Sequence, residues 1–264
     1  VKFIFPSTIA VYGVRTLADI DAMAPEFTKD RRVLIIGGGY IGLEAAAVSA
    51  KMGLKVTVVE MADRILQRVA SPETSDYFRT LHQDHGVTII EGAGLQKLVG
   101  DGRVTTAELT NGQTLDIDMA IVGIGIRPNI ALAQTARIVV DNGISTDAFG
   151  RTSLPHIWAA GDCASFPFDG KRIRLESVPN AIDQAETVAA NILGANTEYV
   201  AKPWFWSDQF DVKLQIAGLN TGYDSIIVRG GARDGSVSHW YYAGARLLAV
   251  DAMNAPREFM IARR

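Results

Sequence analysis

Cysteine is almost missing from this sequence: Cys163 stands alone among 264 residues. A single thiol excludes a disulfide within the chain and fits a reducing, cytoplasmic setting. Long apolar runs are missing too. No stretch reaches the roughly 18 apolar residues of a membrane-spanning helix, so no membrane association is expected. The opening, Val1-Lys2-Phe3-Ile4-Phe5-Pro6, is too short and too soon broken for a secretory signal, and none is expected. Excess positive charge is absent. A net charge of −3 argues against a nucleic-acid partner. His82, His85, His156 and His239 have no metal-ligand spacing with cysteine or acid, so no metal site is expected.

What is present is concentrated between Arg31 and Glu60. Val33-Leu34-Ile35-Ile36 suits a strand buried on both faces. Gly37-Gly38-Gly39-Tyr40-Ile41-Gly42 follows, with Gly37, Gly39 and Gly42 in GxGxxG spacing. In such a motif the first glycine permits the tight turn, the second lets backbone approach a pyrophosphate, and the third lets helix pack on strand. A helix starting near Tyr40 would point free N–H groups at phosphate. Val56 to Val59 reads as a second buried strand, ending in Glu60, where a carboxylate can bind a ribose hydroxyl. A lone GxGxxG says little; one set between strand and helix, with an acid about 20 residues on, predicts dinucleotide binding. The bland alternative is a glycine turn without a ligand and a solvated Glu60.

With 48% apolar and 21% charged residues, the chain should form a globular protein of two ordinary domains or more. Lys2 to Ile4 can form a strand. Pro6-Ser7-Thr8-Ile9-Ala10-Val11-Tyr12-Gly13 resembles the serine-bearing strand of short-chain dehydrogenases and epimerases. That chemistry needs a Tyr-x-x-x-Lys pair, and no tyrosine here has one. Leu17 to Met23 reads as a short helix. Ser71-Pro72-Glu73-Thr74 reads as a capping box, opening a helix with Tyr77, Phe78 and Leu81 inward. Val87 to Ile90 is expected as a third strand. Residues 95–99, 104–109 and 114–117 read as an antiparallel meander with glycine turns, and Met119 to Ile124 as a buried strand. Ile157 to Ala160 reads as a short buried strand ahead of Gly161 and Asp162, where small residues admit a ligand and the acid can accept from a polyol hydroxyl. Ala181 to Leu193 carries Ile182, Ala185, Val188, Ala189 and Ile192 at helical spacing. From Pro203 onward, four strands separated by glycine turns and a closing helix at 256–261 predict an antiparallel α+β module.

Several segments together resemble the FAD-dependent ferredoxin reductases of the putidaredoxin and rubredoxin reductase type. They are Arg15-Thr16-Leu17-Ala18-Asp19, the glycine motif running into Leu43-Glu44, Gly125-Ile126-Arg127-Pro128-Asn129 and Ala160-Gly161-Asp162-Cys163. Glu176-Ser177-Val178-Pro179-Asn180-Ala181 and Trp204-Phe205-Trp206-Ser207-Asp208-Gln209 complete the set. The resemblance implies an α/β fold with a Rossmann-like NAD-binding domain inserted in an FAD-binding domain, then a small α+β C-terminal domain. The expected division is 1–29 (a remnant of the FAD domain or a foreign segment), 30–148 for NAD, 149–200 for the second FAD segment, and 201–264. The family opens with its own glycine motif for FAD; here only one such motif is found, residues before Val14 do not resemble the family, and the end falls early. A fragment or chimera, lacking the first FAD half-domain, is therefore expected.

By position the resemblance puts Arg15, Gly161, Asp162 and Val178 on FAD, with Trp206 beside the flavin ring or in a packed domain joint. It puts Gly37, Gly38, Gly39, Tyr40, Ile41, Gly42 and Glu60 on NAD. Gly125 and Ile126 would face the NAD ribose, and Glu44 the nicotinamide carboxamide, or else solvent as a helix-face acid. No side chain is assigned a catalytic role, because the flavin carries the redox chemistry. The implied activity passes electrons from NADH through FAD to a small iron–sulfur ferredoxin that serves a P450 or a ring-hydroxylating oxygenase. The alternatives are an NADH oxidase, a nitrite-reductase flavoprotein subunit, or, for a fragment, a non-catalytic NAD-binding module. One cysteine excludes the dithiol chemistry of related disulfide reductases. Glu60 should favour NADH over NADPH; Arg64, nearby in sequence, could soften that rejection or instead cap or solvate the next helix. Lys171, Arg172 and Arg174 form a basic run that could meet an acidic ferredoxin or simply be solvated.

Overall fold

The computed structural model describes residues 3–4 by their backbone, residue 21, and residues 23–231 and 235–263. Arg15 and most of the helix expected at Leu17 to Met23 lie outside the described residues. In chain order, the elements begin with β1 (Phe3–Ile4), β2 (Arg32–Ile36), α1 (Tyr40–Lys51), β3 (Lys55–Val59), α2 (Pro72–Asp84) and β4 (Thr88–Ile90). Then come β5 (Leu95–Val99), β6 (Thr106–Leu109), β7 (Thr114–Asp116), β8 (Met119–Val122), α3 (Ala131–Thr135) and β9 (Ile144–Ser145). The rest is β10 (Ala164–Phe168), β11 (Lys171–Ile173), α4 (Val178–Ile192), β12 (Trp204–Gln209), β13 (Val212–Gly218), β14 (Ser225–Gly230), β15 (Val237–Ala243), β16 (Arg246–Met253) and α5 (Pro256–Ala262).

A parallel sheet in the order β1-β8-β2-β3-β4 forms the first body. Its strands alternate between two buried faces, as the pleat requires. Val33, Ile35, Val56, Val58, Met119 and Ile121 meet Ala46 and Ala47 of α1. Leu34, Ile36, Val59, Ala120 and Val122 meet Val104, Ala107, Leu109 and Ile117 of the antiparallel β5-β6-β7 meander. At the mouth of β2, Arg32 grips Asp118 through Nε at 3.2 Å and a terminal guanidinium nitrogen at 3.0 Å. That bond holds the Asp118 carboxyl down at about 2.

The C-terminal sheet is antiparallel, in the order β12-β13-β16-β15-β14. One face takes α5 through Trp240, Val250 and Phe259. The other closes a shared core: Leu43, Ile65, Leu66 and Phe78 pack with Val212, Leu214, Ile216 and Met253. The strand Trp204–Gln209 was not expected; its inward residues are Ser207 and Gln209, so its alternation is polar where a strand normally shows apolar residues.

Three expectations need correction. Residues 157–160 do not form a strand; Trp158 makes only an isolated bridge to Arg151. The segment folds back on residues 150–152, with Thr152 N donating to Ile157 O and Ala159 N to Gly150 O. The capping box has one arm. Ser71 Oγ accepts from Thr74 N at 3.3 Å, but the third helical position holds Thr74, whose hydroxyl turns elsewhere. The helix expected from Ala181 starts at Val178, capped by Ser177, and of its five spaced apolar residues Val188 alone is buried. Ile182 and Ile192 are exposed, while Asn180, Gln184 and Asn191 are buried. Those three bond main chain: Asn180 to Leu175 O, Gln184 to Gly161 N, and Asn191 to Phe149 O and to both backbone groups of Thr197. Satisfying loop backbone outweighs burying two isoleucines.

Thr74 belongs to a buried polar cluster between α2 and the C-terminal sheet. Its hydroxyl donates to Asp251 Oδ2 at 2.8 Å and lies 2.7 Å from His239 Nδ1. Tyr241 OH also donates to Asp251 Oδ2 and accepts from Ser71 N at 3.1 Å. Burial pushes the Asp251 carboxyl up to about 6, against the pull of its two donors. The folded state therefore holds this proton where the unfolded chain, near 3.8, has lost it. Its contribution is most favourable below about pH 4, declines as pH rises through about 6, and is level above. Asp251→Asn keeps an acceptor for both hydroxyls and removes the titration. Relative to wild type, this variant should gain stability between pH 4 and 7 in denaturant melts; parallel pH profiles would refute the assignment.

Candidate functional site

The glycine loop between β2 and α1 is built from contacts that only glycine allows. Gly37 has φ +109°, and a Cβ there would lie 2.3 Å from the Gly123 carbonyl oxygen. A Cβ on Gly42 would lie 2.0 Å from the Gly37 carbonyl oxygen, so α1 sits flush on the loop. Gly38 faces Ile65 and Glu60, whose atoms a Cβ would meet at 2.6 and 3.2 Å. Gly39 differs: nothing lies within 4 Å of where its Cβ would be. No side chain caps α1, whose N-cap is Gly39. Its first N–H groups and helix dipole therefore face an open approach, which suits an anion.

Glu60 lies at this loop. Its Oε2 accepts from Gly38 N at 2.7 Å and its Oε1 from Ala62 N at 2.8 Å. Each oxygen keeps a second lone pair. Arg64 is committed to Ala70 O, Ser71 O and Ser75 Oγ, bracing the start of α2. Gly123 brings the loop after β8 against Gly42, which places exposed Gly125 and half-buried Ile126 just beyond the glycine turn. Ile41 is exposed beside it, while Tyr40 stands edge-on to Phe205 at 4.9 Å with its hydroxyl buried and unpaired.

Glu44, one turn into α1, is half-buried and reaches β12: its Oε1 accepts from Ser207 Oγ at 2.6 Å. Burial raises its carboxyl, and the Ser207 hydroxyl and Asp208 N–H pull it back. The neighbouring Trp206 is 37% exposed, with its ring tilted on Trp204 at 5.8 Å. β12 packs against both α1 and α4, so one strand links two groups of expected site residues.

The second group lies at Gly161–Cys163, a single tight turn. Gly161 has φ +77° and donates its N–H to Gln184 of α4 at 2.8 Å. Asp162 Oδ1 is buried and has no hydrogen-bond partner. A buried acceptor left unpaired is costly, and a ligand hydroxyl is a fitting partner. Val178, at the first turn of α4, is exposed. Cys163 is half-buried, and burial pushes its thiol up, away from a nucleophile's range. The basic run fares worse than its sequence suggests. Arg172 is bonded to Thr146 O and Ser165 O, and Arg174 to Asn142 O, Asp162 O and Glu176. Lys171 alone stays exposed and uncommitted among the three.

The bonds of Ser207 and Gln209 are not legible in the sequence: Trp-Phe-Trp-Ser-Asp-Gln shows no polar–apolar alternation, and their partners lie on distant helices. Among the described residues, no group of three or more His, Cys, Asp or Glu is placed to hold a metal, and no helix is long and apolar enough to cross a membrane.

The loop predicts two separable variants. Gly42→Ala drives a methyl into the Gly37 carbonyl and should cost roughly 1–3 kcal/mol in thermal or urea unfolding. Gly39→Ala places its methyl in open space, so its stability should stay near wild type while dinucleotide affinity falls at least several-fold by calorimetry. Equal melting losses in the two variants would contradict this geometry.

Comparison with known proteins agrees with these features. A family model described as pyridine nucleotide-disulphide oxidoreductase matches residues 6–185, and one described as reductase C-terminal matches 204–264. The first reaches back beyond Val14, where the resemblance was expected to begin. A ferredoxin–NAD(P)+ reductase from Sphingomonas sp is 47% identical over 96% of this chain and 63% of its own length. Rhodocoxin reductase from Rhodococcus erythropolis is 42% identical over 96% of this chain and 60% of its own. The crystal structure of the covalent putidaredoxin reductase–putidaredoxin complex superposes with a TM-score of 0.90, at 40% identity, over 99% of this chain and 62% of that one. The chain thus spans about three-fifths of the length of these relatives. The expected α/β architecture and the resemblance to ferredoxin reductases are both borne out, and the chain belongs to the pyridine nucleotide-disulphide oxidoreductase family.

Proposed function

We propose that this chain carries the nicotinamide-dinucleotide site, part of the flavin site and the C-terminal module of an NADH-dependent ferredoxin reductase. The observation that carries the reading is the open, uncapped N-terminus of α1 with Glu60 fastened beside it. The names of the relatives, ferredoxin reductases among them, support a ferredoxin as electron acceptor, which this reading takes to be a small iron–sulfur carrier serving a P450 or a ring-hydroxylating oxygenase. A cytoplasmic setting goes with it.

In this reading the pyrophosphate of NADH rests on the N–H groups of Gly39 to Gly42, and the ribose hydroxyls donate to the spare lone pairs of Glu60. Gly125 and Ile126 line the second ribose. Glu44 accepts from the carboxamide N–H and fixes the face of the nicotinamide ring. On the flavin side, Asp162 Oδ1 would accept from a polyol hydroxyl, Gly161 and Val178 would line the cofactor, and Trp206 would shield the ring. FAD, when bound, takes up two electrons from NADH and releases them singly. The protein's part is to orient the two cofactors and exclude water between them.

Charge at Glu60 sets cofactor choice. A 2′-phosphate would lie against this carboxylate, while the Arg64 guanidinium is held by Ala70 O, Ser71 O and Ser75 Oγ at the start of α2. NADH should bind better than NADPH by roughly a hundredfold, equivalent to about 2.7 kcal/mol. Glu60→Gln keeps an oxygen for Gly38 N–H while removing the charge, and should shrink the gap about tenfold or more. Affinities of both cofactors, measured by calorimetry in wild type and variant, decide it; an NADPH preference in the wild type would sink the role of Glu60. In a full-length parent that carries both halves of the flavin site, Asp162→Ala should lose flavin on gel filtration, read from the visible spectrum, and keep its NADH affinity; unchanged flavin content there would count against Asp162.

A further inference from the structure

Three polar side chains are buried in the joint between α1, α2 and β12: His82, Ser207 and Gln209 are each fully buried. They form a row. His82 Nε2 lies 2.9 Å from Gln209 Oε1, Gln209 Nε2 donates to Ser207 Oγ at 3.1 Å, and Ser207 Oγ donates to Glu44 Oε1 at 2.6 Å. The polarity has only one solution. A carboxylate only accepts, so the serine hydrogen points to Glu44. The serine oxygen must then take its hydrogen from the Gln209 amide, which turns Oε1 toward His82 and requires the hydrogen on Nε2. His82 Nδ1 is then a bare lone pair, and it is indeed buried without a partner. Burial lowers His82 to about 4, so the ring stays neutral and the polarity is constant around neutral pH.

We propose that Ser207 and Gln209 are positioning residues for Glu44, and that the row from His82 fixes the orientation and charge of this carboxylate for the nicotinamide carboxamide. Apolar residues at these positions would avoid desolvating three polar groups, and well-packed apolar substitutes for buried polar networks are often no less stable. The one member that is not fully buried is Glu44. The charged group facing it from the packed elements is Asp208 of β12, whose backbone N–H also bonds it and whose carboxylate raises its pKa. The strand thus supplies both donors that keep Glu44 ionised against burial.

The inference rests on the proposed contact of Glu44 with the carboxamide, and its test separates the two. The chain carrying 13C-labelled glutamate is titrated by NMR, with the Glu44 signal assigned by its loss in Glu44→Gln; NADH affinity is measured by calorimetry on the same samples. Ser207→Ala should move the Glu44 titration upward and weaken NADH about three- to tenfold at pH 7.5, the effect of one hydrogen bond. Gln209→Met, nearly isosteric, should act in the same direction, and Ser207→Thr, which keeps the hydroxyl, should restore both values. If Ser207→Ala does not fold, Gln209→Met carries the test. An unmoved Glu44 titration with unchanged NADH affinity overturns the positioning role. A shifted titration in Ser207→Ala together with wild-type NADH affinity in Glu44→Ala, which has no acceptor left, leaves the row orienting Glu44 and overturns the carboxamide contact instead. A mere packing role predicts lower melting temperatures with neither readout changed.

Discussion

The seat of α1 on the glycine turn is the contact on which the molecule depends. Gly42 lies against the Gly37 carbonyl, and no side chain separates them. That closeness has consequences on every face of the helix. Ala46 and Ala47 reach the parallel sheet. Leu43 reaches the C-terminal sheet. Glu44 comes within hydrogen-bond distance of Ser207. The N-terminus stays open above Gly39. A helix displaced by one methyl would disturb all four, because packed interiors pass on small changes in volume instead of absorbing them.

Much of the first body is legible in the sequence because its signals are local. The run Val33 to Ile36, the glycine spacing and the position of Glu60 each report on neighbours in the chain, and the parallel pairing of β2 with β3 follows from a short crossover through α1. The meander is equally readable from its glycine turns. What escapes local reading is polar burial. In α4 the isoleucines suggest the inward face, but Asn180, Gln184 and Asn191 go inside because distant loops present unpaired backbone groups. In β12 the inward residues are Ser207 and Gln209, and their partners lie on α1 and α2, more than 120 residues away. The side chains of Arg172 and Arg174 likewise look available until the carbonyls of residues 142, 146, 162 and 165 are seen around them. Hydrophobic periodicity carries no information about such partners.

Two buried polar groupings join α2 to the C-terminal sheet: Thr74 with Asp251, His239 and Tyr241, and His82 with Gln209. They flank the apolar cluster made by Phe78 and Leu214. Hydrophobic burial is non-directional and by itself does not select one orientation of the joint. Buried hydrogen bonds are not indifferent; each has a narrow range of length and angle, and a half-broken one leaves an unsatisfied group in a low-dielectric interior. The combination resists both separation and shear. Its functional meaning follows from where the joint lies. Glu44, proposed for the nicotinamide, is on α1, Trp206, proposed for the flavin ring, is on β12, and electron transfer between two cofactors depends on their relative placement. The joint fixes α2 against β12, and the Ser207–Glu44 bond carries that placement to α1, so under the proposed assignment the elements that would hold the two rings are set relative to one another by the fold.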